Sequence, residues 1–114
     1  MMEGPTGEFQ ECFEDGLRFL VTALALRADR RSVPVAINAA CDSVRCFLKI
    51  FAAAAERHLP DPRGELPRLR DQCAALLTLG QDPLDALDHT LEAARLARDE
   101  AARLLPRLLA TRMR

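Results

Sequence analysis

The sequence predicts an all-α protein, an antiparallel up-and-down four-helix bundle. Apolar residues recur at helical spacing along most of the chain, prolines and glycines separate these stretches, and strand-forming residues are scarce. Tyr and Trp are absent, and β-branched residues are few, which leaves little material for a sheet. The clearest periodicity lies over 33–59, where Ile37, Ala40, Cys41, Val44, Phe47, Leu48, Phe51 and Ala55 recur at steps of three and four. Only Asn38, Asp42, Arg45, Lys49 and Glu56 form a polar stripe there. Such a helix is expected to be covered on most of its girth and to sit at the centre of the fold.

The first helix is expected over about 7–29, capped by Thr6, with Glu8, Glu11 and Glu14 near the positive end of its dipole. Phe9, Phe13, Leu17, Leu20 and Leu24 supply its inward stripe. Cys12, Phe19, Ala23 and Leu26 form a second apolar stripe on another face. That stripe is either an oligomer surface or a face covered by a loop or by the tilted last helix. It is the candidate interaction surface.

The second helix is expected over 33–58, with Ser32 as its cap and Pro34 in the first turn, where a missing amide hydrogen costs nothing. Two prolines and Gly64 break the chain over 59–64. A shorter helix is expected over 65–79, with Pro67 in its opening turn, Leu66, Leu69, Cys73, Leu76 and Leu77 on its apolar face, and Gly80 as terminator. Asp82, Pro83 and Asp85 then open a last helix over 83–111, whose inward residues are Leu84, Leu87, Leu91, Ala94, Ala97, Ala101, Leu105 and Leu108. Pro106 is expected to kink or interrupt it.

The 114 residues make a single domain over 1–114, and 49% hydrophobic content fills one core. Sixteen basic residues against seventeen acidic give a net charge of −1, so no global field draws in nucleic acid or an anionic membrane. Charge-free runs stay far short of the roughly 20 residues that a membrane helix needs. The acidic N-terminal stretch does not resemble an export signal. The four cysteines form no CxxC pair and read as buried reduced thiols, which points to a cytoplasmic protein.

Charge also favours the up-and-down order. Residues 1–16 hold five acidic and no basic side chains, whereas 95–114 hold six arginines against Asp99 and Glu100. In an antiparallel bundle the start of the first helix and the end of the fourth share one end, so these charges would face each other.

Material for catalysis is thin. His58 ends the second helix and His89 follows Asp85 by one turn, but a bundle metal centre needs carboxylates and histidines from several helices. No metal and no cofactor is expected. Neither serine nor cysteine sits in a nucleophile elbow, and the glycines never cluster into a phosphate loop. Asp42, Arg45 and Lys49, together with Arg95 and Arg98, are the candidate anion-binding residues; a solvated polar face is the alternative.

The stretch 35–51, with its small residues and its Leu48-Lys49 pair, followed by a proline-bearing loop and a leucine-rich segment, resembles the middle of HEPN-family helical domains. The resemblance implies a bundle of four or five helices, frequent dimerisation, and a role in RNA cleavage or as partner of a nucleotidyltransferase or defence protein. Nuclease members of that family carry an Arg a turn or so ahead of a His. Here Ala53 precedes His58 and Leu84 precedes His89 at that interval, and Arg45 stands where a glutamate is common. The expected function is therefore a non-catalytic protein-interaction module, homodimeric or bound to a helical protein partner. An RNA-binding or RNA-cleaving HEPN-type protein of a toxin–antitoxin or defence system is the alternative.

Val44→Asp is expected to place a lone charge in the core, costing several kcal/mol and unfolding the domain, whereas Arg112→Ala is expected to leave stability unchanged. Urea denaturation of both variants followed by circular dichroism checks the pair.

Overall fold

The computed structural model describes residues 5–57, 59, 67, 68, 71, 72, 75 and 82–112. All regular structure among them is helical. Helix α1 spans Pro5–Leu26, a short 3-10 turn spans Arg30–Ser32, α2 spans Val33–Glu56 and α3 spans Pro83–Arg112. The helix expected over 65–79 falls mostly outside the described residues, within which 67, 68, 71, 72 and 75 are helical.

Helix α1 starts at Pro5, so Thr6 lies inside the helix and does not cap it. Proline suits that place because its ring presets a helical φ and it has no amide hydrogen to leave unpaired. The helix stops at Leu26, short of the expected Asp29. Asp29 takes an extended conformation, and its carboxylate accepts the Arg31 amide at 3.0 Å and the Ser32 hydroxyl at 2.9 Å. Those two bonds draw the chain into the 3-10 turn. Ser32, expected to cap α2, thus donates its hydroxyl backwards and makes no side-chain cap bond. Pro34 sits in the first turn of α2 as expected.

Helix α2 carries the widest buried face, from Val33, Ala36 and Ala40 through Val44, Phe47 and Ile50 to Ala54. Both α1 and α3 pack on it more extensively than on each other. Against α1 the contact is set by small groups. The Ser43 hydroxyl, fully buried, donates to the Gly16 carbonyl at 2.7 Å, and the Phe47 ring lies where a Cβ on Gly16 would stand, with Cε1 2.6 Å from that point. Phe13 packs on Phe47 at 5.6 Å between ring centroids, and the Arg57 guanidinium caps the Phe9 ring at 4.9 Å. These contacts run α1 and α2 antiparallel. Against α3 the buried residues include Ala93, Ala94, Ala97 and Ala101 beside Leu87, Leu91, Leu104 and Leu108. Alanines let helix axes come close.

The start of α3 lies beside the end of α1. Arg27 and Asp88 form a bidentate pair, Nε to Oδ1 at 2.7 Å and Nη2 to Oδ2 at 2.9 Å. Asp82 caps α3 as expected, its carboxylate accepting the Asp85 amide at 2.8 Å. Helix α3 continues through Pro106 without interruption. Ala102 and Pro106 are both exposed, so water can take the Ala102 carbonyl that loses its amide partner.

Three residues expected in the core lie outside it. Leu24 sits at the edge of the buried arc of α1, Leu84 in the opening turn of α3, and Ala55 in the last turn of α2, and all three are exposed.

Gly16→Ala tests the close approach. Alanine would favour an ordinary helix interior by about 1 kcal/mol, yet here its methyl meets a buried ring braced by Phe13, and overpacking costs about 1–3 kcal/mol. A net loss in urea denaturation is expected, where a surface helix position would show a gain.

Candidate functional site

The inward arc of α1 consists of Phe9, Phe13, Gly16, Leu20 and Ala23, which pack on the core or lie within it. On the flank beyond it, Leu17 is half-buried while Leu24 is 40% and Val21 65% exposed. Steps of four and three place these three on one line along the helix, and Ala28, also exposed, lies in the turn that follows. The surplus apolar surface of α1 therefore centres on Leu17, Val21 and Leu24.

That corrects the stripe read from sequence. Ala23 is fully buried, and Cys12 and Leu26 are half-buried and packed against the core; of the four, Phe19 alone is exposed, at 37%. The small Ala23 side chain lies two turns from Gly16, where helix packing is close, and is covered outright. The signal that could have found the other flank is the step from Leu17 to Val21, which leaves the inward stripe to one side.

The candidate anion-binding residues divide into local pairs. Arg45 donates to Asp42 at 2.8 Å on the outer face of α2, and Arg98 donates to Asp99 at 3.0 Å on α3. Lys49 is exposed on α2, and Arg95 is exposed on α3 within electrostatic reach of Asp88. No described contact brings the α2 group and the α3 group together. Arg103 likewise engages the buried Glu100 at 3.0 Å.

At the junction of the three helices a cleft of about 610 Å³ is lined by Arg27, Ala28, Arg30, Val33, Asp82, Pro83 and Leu84. Its mixed lining, two arginines and a capping aspartate among apolar residues, defines no single ligand chemistry. The Arg27–Asp88 bond at its rim raises the arginine further and lowers the aspartate below its ordinary range.

Among the described residues no group of three His, Cys, Asp or Glu side chains is placed to hold a metal ion. His89 lies 3.5 Å from Asp85 at a half-exposed position; His58 and Cys73 lie outside the described residues. No described helix is long and apolar enough to cross a membrane. No family model matches this chain, and no curated protein or solved structure matches it either.

Cys12, Cys41 and Cys46 are free and half-buried. Burial pushes all three thiols above their ordinary value of 9.0, while Lys49 opposes the shift at Cys12 and Cys46, and Arg45 at Cys41. Thiols held protonated are poor nucleophiles. A thiol that binds its proton more tightly when folded contributes stability that is intact below the unfolded value and is lost as pH climbs through the raised folded one. The chain has no Tyr, and Lys49 is its lone lysine, so the thiols dominate titration in that window. Urea stability is therefore expected to fall as pH rises above about 9, and a Cys12→Ala, Cys41→Ala, Cys46→Ala triple variant is expected to flatten the decline.

Proposed function

We propose that this chain is a non-catalytic helical interaction module that self-associates through the uncovered flank of α1. The observation that carries the reading is the exposure of Val21 and Leu24 on a helix whose inward arc is already packed against the core. Large apolar side chains in line along a rigid helix are costly to leave in water and gain by docking on a similar face. Free thiols suit a reducing cytoplasm.

We further propose that residues 65–79 complete an antiparallel up-and-down four-helix bundle. Helices α2 and α3 both begin beside the end of α1, and α2 spans about 36 Å at 1.5 Å per residue, so a return helix between Glu56 and Pro83 would join the far end of α2 to the start of α3. Residues 67, 68, 71, 72 and 75 are helical and exposed, as the outer face of such a return helix would be. A bundle of this kind is compatible with the HEPN-like resemblance. The RNA-directed alternative stands second, because Arg45 and Arg98 are already engaged with neighbouring carboxylates.

Sedimentation equilibrium tests self-association. The wild type is expected to dimerise at micromolar to high-micromolar concentration, and Val21→Glu with Leu24→Glu is expected to be monomeric with an unchanged helical circular dichroism spectrum. A wild type that stays monomeric throughout that range counts against the reading.

A further inference from the structure

Two of the free thiols share one seam between helices. Helices α1 and α2 run antiparallel, and the Phe13 and Phe47 rings meet across them at 5.6 Å between centroids. Cys12 and Cys46 are the residues immediately before those two phenylalanines. On antiparallel right-handed helices, a step back from each of two facing positions turns both side chains to the same side of the contact, about 3 Å apart along the axes. The two cysteines therefore flank the ring pair together, and both are half-buried. Their thiols lie within electrostatic reach of each other, and Lys49 and Asp15 lie within reach of both. Cys41 is turned about 140° away around α2, with Arg45 and Asp42 as its charged neighbours. One turn along the seam, the Ser43 hydroxyl donates to the Gly16 carbonyl at 2.7 Å, and Gly16 has no side chain to hold the backbones apart. A disulfide needs Cα atoms within about 7 Å, which a seam pinned by a glycine favours.

We propose that Cys12 and Cys46 are a reversible disulfide site, which bridges α1 to α2 when the protein meets an oxidised low-molecular-weight disulfide. One cysteine thiolate attacks a sulfur of the small disulfide, forming a mixed disulfide and expelling one small thiolate. The second cysteine thiolate then attacks the protein-bound sulfur and expels the other. Two protein thiols are oxidised, the small disulfide is reduced to two thiols, and the two protons lost by the cysteines pass through water to the expelled sulfurs. Burial holds both thiols protonated, so the first attack is slow near neutral pH and quickens as pH rises, with Lys49 favouring the thiolate at both sites. Under a reducing poise the pair stays as thiols. Once formed, the bridge closes the stretch 12–46, restricts the unfolded chain and raises resistance to urea. Cys12 lies on the opposite side of the inward arc from Leu17, Val21 and Leu24, so the site does not depend on the self-association reading.

The full chain, incubated natively with oxidised glutathione at mildly alkaline pH, tests the site. The count of four thiols is expected to fall to two, with the protein still a single chain on a non-reducing gel. Cleavage after arginine and lysine puts all four cysteines on different peptides, so mass spectrometry reads the pairing directly, and Cys12 joined to Cys46 is expected. The urea midpoint is expected to rise on oxidation and to return with reductant. Cys46→Ser is expected to stall as a glutathione adduct on Cys12 with no rise in midpoint, and circular dichroism checks that it keeps its helices. Four thiols surviving prolonged oxidation, glutathione adducts that never resolve in the wild type, a bridge that uses Cys41 or Cys73, or a crosslink between chains each overturns the proposal.

Discussion

The rest of the structure depends on the contact where Gly16, Ser43 and Phe47 meet. Gly16 presents no side chain, so the Phe47 ring occupies the volume a Cβ would take, and the Ser43 hydroxyl reaches the Gly16 carbonyl directly. A buried hydroxyl with its bond made has its desolvation cost offset, and a ring packed this closely fixes the rotation of α1 about its own axis. Register follows at once. One turn along, Phe13 must lie on Phe47, and a further turn along, Phe9 meets Arg57 at the end of α2.

Fixing that rotation decides which flank of α1 is covered. The arc containing Gly16, Leu20 and Ala23 turns inward, so the line through Leu17, Val21 and Leu24 is left at the rim. On its other side α2 offers alanines to the alanine-rich face of α3, where close axes gain dispersion contacts from small residues. Helix α2 is thereby packed on both sides. The Arg27–Asp88 pair adds a link between the ends of α1 and α3, but both side chains are partly solvated, so orientation is its main contribution.

These relations explain what was legible in the sequence. The period over 33–59 announces a helix covered on most of its girth, and most positions of α2 are buried or half-buried; periodicity is a property of the element itself. The polar stripe of Asn38, Arg45, Lys49 and Glu56 likewise faces solvent. The flank left open on α1 is different, because it depends on how far a neighbouring helix reaches. Counting stripes separates Ala23 from Leu20, yet in space the two share one covered arc beside Gly16. Leu24, read as inward, lies just past that arc. The turn was misread for a reason of competition: Ser32 is a sound helix cap, but Asp29 three residues earlier captures its hydroxyl first. Pairing of Arg27 with Asp88 joins residues 61 apart, a separation at which sequence offers no signal without the fold.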